Sequence, residues 1–388
     1  MRYIRLCSRG GGHIPNSEID ELSNFWKAFP SLKEELFNSI NKDYSKFKVE
    51  NIKEILFSNK DVKTFINSYT NSFKELEDFL YKELIKNLND DKKLKDLNIS
   101  GEENIISTKV LETLKPFPLI DFYKVYQTLN DEWKSIIVDL ETIKIEGFDC
   151  TKQVDPNIVI KKKSNIETEE QDGYKGHIIP FEIAQKHLEE LKLKKNKILE
   201  KEQELEAIAQ KYIEIYESIS EDDKETEKIL FNDEKETFVN SEVTKYVKTL
   251  KGKKFDDPEC FESKIKEVSN LLTRESALKK EIIIKEIELE DSTKKAIEEL
   301  TEDQIKAFLK EKWIDTLINS FNTIPNILLN EFASNLTKLS NKYKQTLLEL
   351  ETEIKKSEKE LSILIDELDA NEFDKKGLSE LKKLLGGE

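Results

Sequence analysis

The residues whose types could do chemistry are few and widely spaced. Three histidines (His13, His177, His187) and three cysteines (Cys7, Cys150, Cys260) are spread over 388 residues. No histidine has a Cys or His at i+3 or i+4, where one helix face would offer a metal ion two ligands, so no metal set is expected. The odd, sparse cysteines give no disulfide framework and suit a reducing compartment. Gly10-Gly11-Gly12 is the only glycine cluster, and His13-Ile14-Pro15 follows it with no strand before it. It reads as a linker, because no Gly-Lys-Ser/Thr or Gly-x-Gly-x-x-Gly pattern is present to cradle phosphates. With 79 Asp and Glu in the chain, a pair of carboxylates says nothing about acid–base work. Their ordinary place is an exposed helix face with i,i+4 partners. His187 lies in a charged helical stretch and reads as a solvated surface residue. No catalytic, cofactor-binding or metal-ligating residue is expected, so the function must lie in binding.

The composition says what kind of elements do that binding. Hydrophobic and charged residues each make up 37%, while Gly numbers 11 and Pro 8, too few turn-formers for a sandwich or barrel of short strands. A mainly α fold of long amphipathic helices follows. The net charge of −16 argues against broad attraction to nucleic acid or an acidic membrane surface. Arginine occurs only at Arg2, Arg5, Arg9 and Arg274, so any fork for phosphate would sit near the start. No run approaches the ~20 apolar residues of a membrane span, so a cytoplasmic protein is expected.

Apolar spacing divides the chain into five parts. Residues 1–15 read as a linker tail. Residues 16–140 read as a helical globular domain. Ile19, Leu22, Phe25, Trp26 and Phe29 share a first helix with Ser17 as a cap, and Leu32, Leu36, Phe37 and Ile40 share a second capped by Ser31. Phe122, Val125, Tyr126, Leu129, Trp133, Ile136 and Ile137 lie on one later face, which puts Trp26, Tyr126 and Trp133 in or near the core. Residues 141–180 read as a small β flap, with strands at Thr142–Ile145 and Asn157–Lys161 and an acidic loop at Glu167–Asp172. Residues 181–300 read as two helical arms in an antiparallel hairpin. Leu191, Ile198, Leu205, Tyr212 and Ile219 recur every seven, with a poor companion seam at Lys195, Glu202, Ala209 and Tyr216. Val268, Leu271, Leu278, Ile282, Leu289 and Ala296 mark the second arm, and the acidic stretch between the arms reads as broken. Residues 301–388 read as C-terminal helices.

Two segments carry more than periodicity. Gly11-Gly12-His13-Ile14-Pro15-Asn16-Ser17-Glu18-Ile19-Asp20-Glu21-Leu22-Ser23-Asn24-Phe25-Trp26, then Phe29-Pro30-Ser31-Leu32-Lys33-Glu34-Glu35-Leu36-Phe37, is the first. Asp121-Phe122-Tyr123-Lys124-Val125-Tyr126-Gln127-Thr128-Leu129 with Trp133 is the second. Together they resemble the C-terminal part of the modification (M) subunit of type I restriction–modification DNA adenine methyltransferases. Ile143 to Phe148 stands where that family has a short strand, and Glu311-Lys312-Trp313-Ile314 resembles its D-K-W-L more weakly. The family's S-adenosylmethionine domain grips a flipped adenine with an Asn-Pro-Pro-Phe/Tyr motif. This sequence contains no Pro-Pro, and Asp139-Leu140 replaces a more acidic stretch. The resemblance therefore implies the non-catalytic half of such a subunit, with the cofactor held elsewhere. It implies as partners the specificity (S) subunit, the restriction subunit, and DNA through the complex. A free-standing coiled-coil adaptor is the competing reading.

The docking element expected for such a scaffold is the last helix. Leu347, Leu350, Ile354, Leu361, Leu364 and Leu368 alternate steps of three and four, with Ser357 the one polar position and Lys and Glu dense around them. The stripe is expected to meet a partner helix, and the alternative is that it folds back on the arm at Glu262–Leu300.

Overall fold

The computed structural model describes residues 13–163, 166–232, 236–251, 257–344, 347–366, 377, 378 and 380. Cys7, the three early arginines, Gly10, Gly11, Gly12 and Leu368 lie outside them, as do the side chains of Leu347 and Leu350. In chain order the elements begin with β1 (Ile14–Pro15), α1 (Asn16–Asp20), α2 (Ser23–Ala28), α3 (Pro30–Leu36), β2 (Phe37–Ser39), β3 (Tyr44–Phe47) and α4 (Ile52–Ser58). Longer helices follow: α5 (Lys60–Leu84), α6 (Asp91–Asp96), α7 (Ile99–Leu114) and α8 (Phe122–Glu146). Then come β4 (Val154–Lys163), β5 (Ile166–Gly176), α9 (Phe181–His187), α10 (Glu189–Ser218), α11 (Glu221–Thr226), β6 (Phe231–Asn232), β7 (Thr237–Phe238), α12 (Asn240–Thr249) and α13 (Phe261–Glu298). The chain closes with α14 (Glu302–Leu309), a π-helical turn (Lys310–Asp315), α15 (Thr316–Lys342) and α16 (Leu347–Asp366). The fold is mainly α. No helix among the described residues is long and apolar enough to cross a membrane.

The chain forms two compact units, each discontinuous in sequence. The first gathers Met1–Leu80, Ser100–Lys134 and Asp315–Glu388. Its core joins Ile14, Ile19, Trp26, Phe29, Leu32, Leu36, Phe37, Ile52, Leu56 and Val62 to Leu329, Phe332, Ala333 and Leu336 of α15. Phe332 stacks on Phe25 with ring centroids 3.9 Å apart and meets the Trp26 ring edge-on at 5.5 Å. The apolar spacing of the first helices thus finds its partner some three hundred residues later.

Several local expectations change here. Ile14 and Pro15 are not linker: they form an edge strand on β3, a position in a sheet where proline's missing N–H is tolerated. The first helix breaks into α1 and α2 at Glu21-Leu22, and Ser17 lies inside α1 without capping it. The second ends at Leu36, because Phe37 turns into β2 and pairs with Phe47, which leaves Ile40 exposed. Ser31 does not cap α3 with its own side chain. Instead the Asp61 carboxylate accepts from the Ser31 N–H (2.9 Å) and hydroxyl (2.7 Å), while buried Asn59 donates to that hydroxyl (3.0 Å). The Ser31 hydroxyl and then its N–H hold the Asp61 carboxyl below its usual range, against a smaller upward push from burial.

The second unit comprises Tyr81–Ile99 and Ser135–Ile314. Thr142–Ile145 is the last turn of α8 and not a strand. Ile136, Leu140 and Ile143 keep a helical spacing that outweighs the β-branched types, and the helix stops only at Gly147, whose φ is +89°. The Glu167–Asp172 segment is strand and not loop: the backbone of β5 sets Glu167 opposite Lys162 and Thr168 opposite Lys161. The hairpin sits on α13 through a close approach at Gly173. The Tyr174 N–H donates to Glu290 Oε1 at 2.5 Å, and the Lys294 ammonium lies 4.1 Å from the Tyr174 ring centroid. A Cβ at Gly173 would come within 2.0 Å of Glu290 Oε1, and its φ of +75° already favours glycine.

α10 and α13 run antiparallel. Lys194 meets Ser292 (2.7 Å), Lys201 pairs with Glu281, Arg274 forks onto Glu204 (2.7 and 2.8 Å), and Tyr212 donates to Glu275 (2.8 Å). The companion seam of α10 falls one residue earlier than its sequence suggests, at Lys194, Lys201, Ile208 and Ile215. Two lysines occupy its first half and two buried isoleucines its second. Beyond Ile215 the stretch expected to be broken forms a small core of its own. Ile219, Leu230, Phe231, Phe238 and Val243 pack with Ile265 and Val268, ringed by Tyr212, Tyr216, Tyr246 and Phe261.

Replacing Asp61 by Ala should cost the first unit about 1 kcal/mol, the ordinary worth of a helix cap, measured by urea denaturation at neutral pH. The cap is fully present above the unfolded carboxyl's pKa and is lost as pH falls through the lower folded value. The difference between variant and parent should therefore vanish in acid, and a pH-independent difference would refute the capping role.

Candidate functional site

The motif residues are placed in three ways. Of the first motif, Ile14, Ile19, Trp26, Leu32 and Phe37 are core, and the Trp26 indole N–H donates to the Ile19 carbonyl at 2.6 Å. Pro30 opens α3, where its fixed φ fits and its absent N–H is not missed. Asp20 stays at the surface, 2.8 Å from Lys33. These residues build the first unit and offer no reacting group.

The second motif opens α8 in the same unit. Asp121 accepts from the Tyr123 N–H at 2.9 Å, satisfying one of the helix's free donors. Val125, Leu129 and Trp133 point into the core, and Lys124 pairs with Glu331 of α15 at 2.9 Å. Tyr126 is not core: it is 49% exposed, beside exposed Phe122 and Tyr123. Its position lies at the edge of the buried stripe, where a helix of this length keeps one flank wet. Gln127 donates to Asp131 at 3.0 Å on the outer face.

The third motif lies in the second unit and builds its main polar cluster. Trp313 is buried in the π-helical turn, and its indole N–H donates to Asp139 Oδ2 at 2.7 Å. The Lys312 ammonium donates to the same oxygen at 2.5 Å and to the Ile178 carbonyl at 2.7 Å. Asp139 is a single acid within the apolar face of Trp133, Ile136, Leu140 and Ile143, and that break was the sequence signal for it. Next to Lys312 in sequence, Glu311 holds Lys186 at 2.6 Å and pairs with His187, whose ring lies against Phe308. His187 is therefore a tethered residue and not a freely solvated one. Burial pushes the Glu311 carboxyl up, but hydrogen bonds and charge from Lys186 and His187 prevail and hold it below its usual range. His177 lies between Asp155 (2.6 Å) and Glu146 (3.5 Å), tying the end of α8 to the hairpin.

This cluster positions elements. The nearby Cys150 is fully buried, and burial first, then the Glu146, Asp139 and Asp149 charges, push its thiol up to about 11. It is a thiol at neutral pH. No group of three or more His, Cys, Asp or Glu among the described residues could hold a metal ion.

α16 carries the remaining set. Ile354, Leu361 and Leu364 are 49%, 44% and 58% exposed, and Ile354, Ser357 and Leu361 line one shallow groove with Glu353 and Glu358. The side chains that spacing selected as a docking stripe thus lie open where they are described. Compared with known proteins, the chain matches no family model, no curated protein and no solved structure.

Two outcomes test the polar cluster. Asp139→Ala leaves the Lys312 ammonium uncompensated and Lys312→Met leaves the more deeply buried Asp139 carboxylate so, and each should destabilise the second unit by about 3 kcal/mol. Small losses from both would mean that the cluster is solvated. Cys150 should react with iodoacetamide only as fast as the fold opens, and labelling at the rate of a free thiol would contradict its burial.

Proposed function

We propose that this chain is the helical, non-catalytic part of the modification subunit of a type I restriction–modification DNA adenine methyltransferase. In this reading it is a cytoplasmic scaffold that docks the specificity subunit. S-adenosylmethionine is bound by a separate catalytic domain, and DNA and the restriction subunit are reached through the assembled complex. The observation that carries the reading is the open stripe of α16. Large aliphatic side chains left in water at helical spacing are what a bundle with another helix requires. Burying each would contribute roughly 1.5–3 kcal/mol before ordering costs are subtracted. The motif residues support a scaffold as well, since Trp26, Trp133 and Trp313 are spent on packing.

The test is co-expression with a specificity subunit and a catalytic domain of such a system. The parent chain should co-purify with the specificity subunit. Ile354→Asp combined with Leu361→Asp should abolish the complex and leave the melting temperature unchanged, because both side chains are already exposed. A stable, monomeric parent chain that ignores the specificity subunit would sink the proposal and favour a free-standing adaptor.

A further inference from the structure

Setting the α16 stripe in a heptad fixes the residues that border it. Leu347, Ile354, Leu361 and Leu368 fall at one seam position, and Leu350, Ser357 and Leu364 at the other. The residues preceding the first set are Thr346, Glu353, Glu360 and Glu367, and those following the second are Glu351, Glu358 and Ile365. Five of these seven border positions are glutamate and none is basic. Lys355, Lys356 and Lys359 make the region look mixed in sequence, yet they fall at outer positions away from the stripe. Lys356 approaches Glu360 at 3.8 Å, but both side chains are exposed and such a pair offsets little charge.

The borders decide what can lie on the stripe. In a parallel pair, each residue before the first seam position faces the partner's residue after the second. In an antiparallel pair, each border faces its own kind. In an in-register parallel copy of α16, Glu353 of each helix would face Glu358 of the other, and an antiparallel copy likewise brings together borders that carry glutamate and no base. A helix bordered by lysine or arginine meets every one of those glutamates with opposite charge. Ser357, a polar step in the middle of the stripe, leaves one position where a polar partner residue fits best and so marks the register.

We propose that α16 receives a helix of another chain whose apolar stripe is bordered on both sides by lysine or arginine, and that it rejects a second copy of itself. The proposal rests on the docking role given to α16 above, and it does not depend on which family supplies the partner.

Two labelled peptides about three heptads long serve as probes. Both carry a Leu/Ile stripe with one central Ser; one has Lys at every border position and the other Glu. Fluorescence anisotropy with the full chain should show the Lys-bordered peptide binding roughly tenfold tighter or more, with the preference shrinking as salt rises. The triple variant Glu353→Lys, Glu358→Lys, Glu360→Lys should reverse the preference, and Ile354→Asp should abolish binding of both. Equal affinity for the two peptides, or none for either, overturns the proposal. So does sedimentation of the parent as a dimer that Ile354→Asp dissolves. Lys-peptide binding that appears only after residues 377–388 are removed would make the chain's own Lys382 and Lys383 segment the occupant, which also overturns it. If the peptides behave as proposed while no specificity subunit co-purifies, the functional reading fails and this inference stands. Co-purification with equal peptide affinities sinks this inference alone.

Discussion

The first unit depends on one packing event, the insertion of Phe332 of α15 against Phe25 and Trp26. The opening helices are short, and α1, α2 and α3 have five to seven residues each, too few to hold helical structure alone. Their apolar faces need a long surface to lie on, and Leu329, Phe332, Ala333 and Leu336 supply it. Lys342 and Tyr343 at the end of α15 then clasp Glu18 in α1, which fixes the register of the contact. Contacts so distant in sequence form only after a large loop has closed, so the unit's cohesion rests on non-local burial more than on helix propensity.

The second unit solves a different problem, which is to orient helices with few turn-formers. It does so with charge in low-exposure places. A single oxygen of Asp139 takes both the Lys312 ammonium and the Trp313 indole N–H, and Lys312 reaches on to the Ile178 carbonyl. A buried ion pair adds little net stability by comparison with an apolar replacement, but losing either partner strands a buried charge, which disfavours arrangements that separate the two. Both donors, Lys312 and Trp313, come from the π-helical turn at Lys310–Asp315. The same economy appears along α10 and α13, where Lys201–Glu281 and Arg274–Glu204 fix the pairing in the half of the seam that lacks apolar residues.

What the sequence made legible was whatever depended on neighbours within a turn or two. The long helices, the antiparallel arms and the stripe at Ile354, Leu361 and Leu364 follow from three–four spacing, which a helix converts directly into a face. The hairpin strand at Asn157–Lys161 was legible from β-branching, but its partner was not, because Glu167–Asp172 looks like a loop until Lys162 is set opposite Glu167. Tyr126 was misplaced because periodicity gives a face and not its edge. The small core around Phe231 and Phe238 escaped notice because acidic residues diluted its aromatics in sequence, while folding gathers Tyr216, Tyr246 and Phe261 around them. Of the candidate site, the stripe was visible in advance. Asp139 was not weighed as a partner of Lys312 and Trp313, which lie more than 170 residues away.

The charge pattern of α16 bears on self-association and on partner choice together. An exposed aliphatic stripe invites self-association, and proteins counter this with like charge placed where a copy would dock. Glutamate at the borders does so here, and the net charge of −16 extends the same repulsion over longer distances. The same negative field raises the encounter rate with a basic surface and lowers it with DNA or another acidic chain.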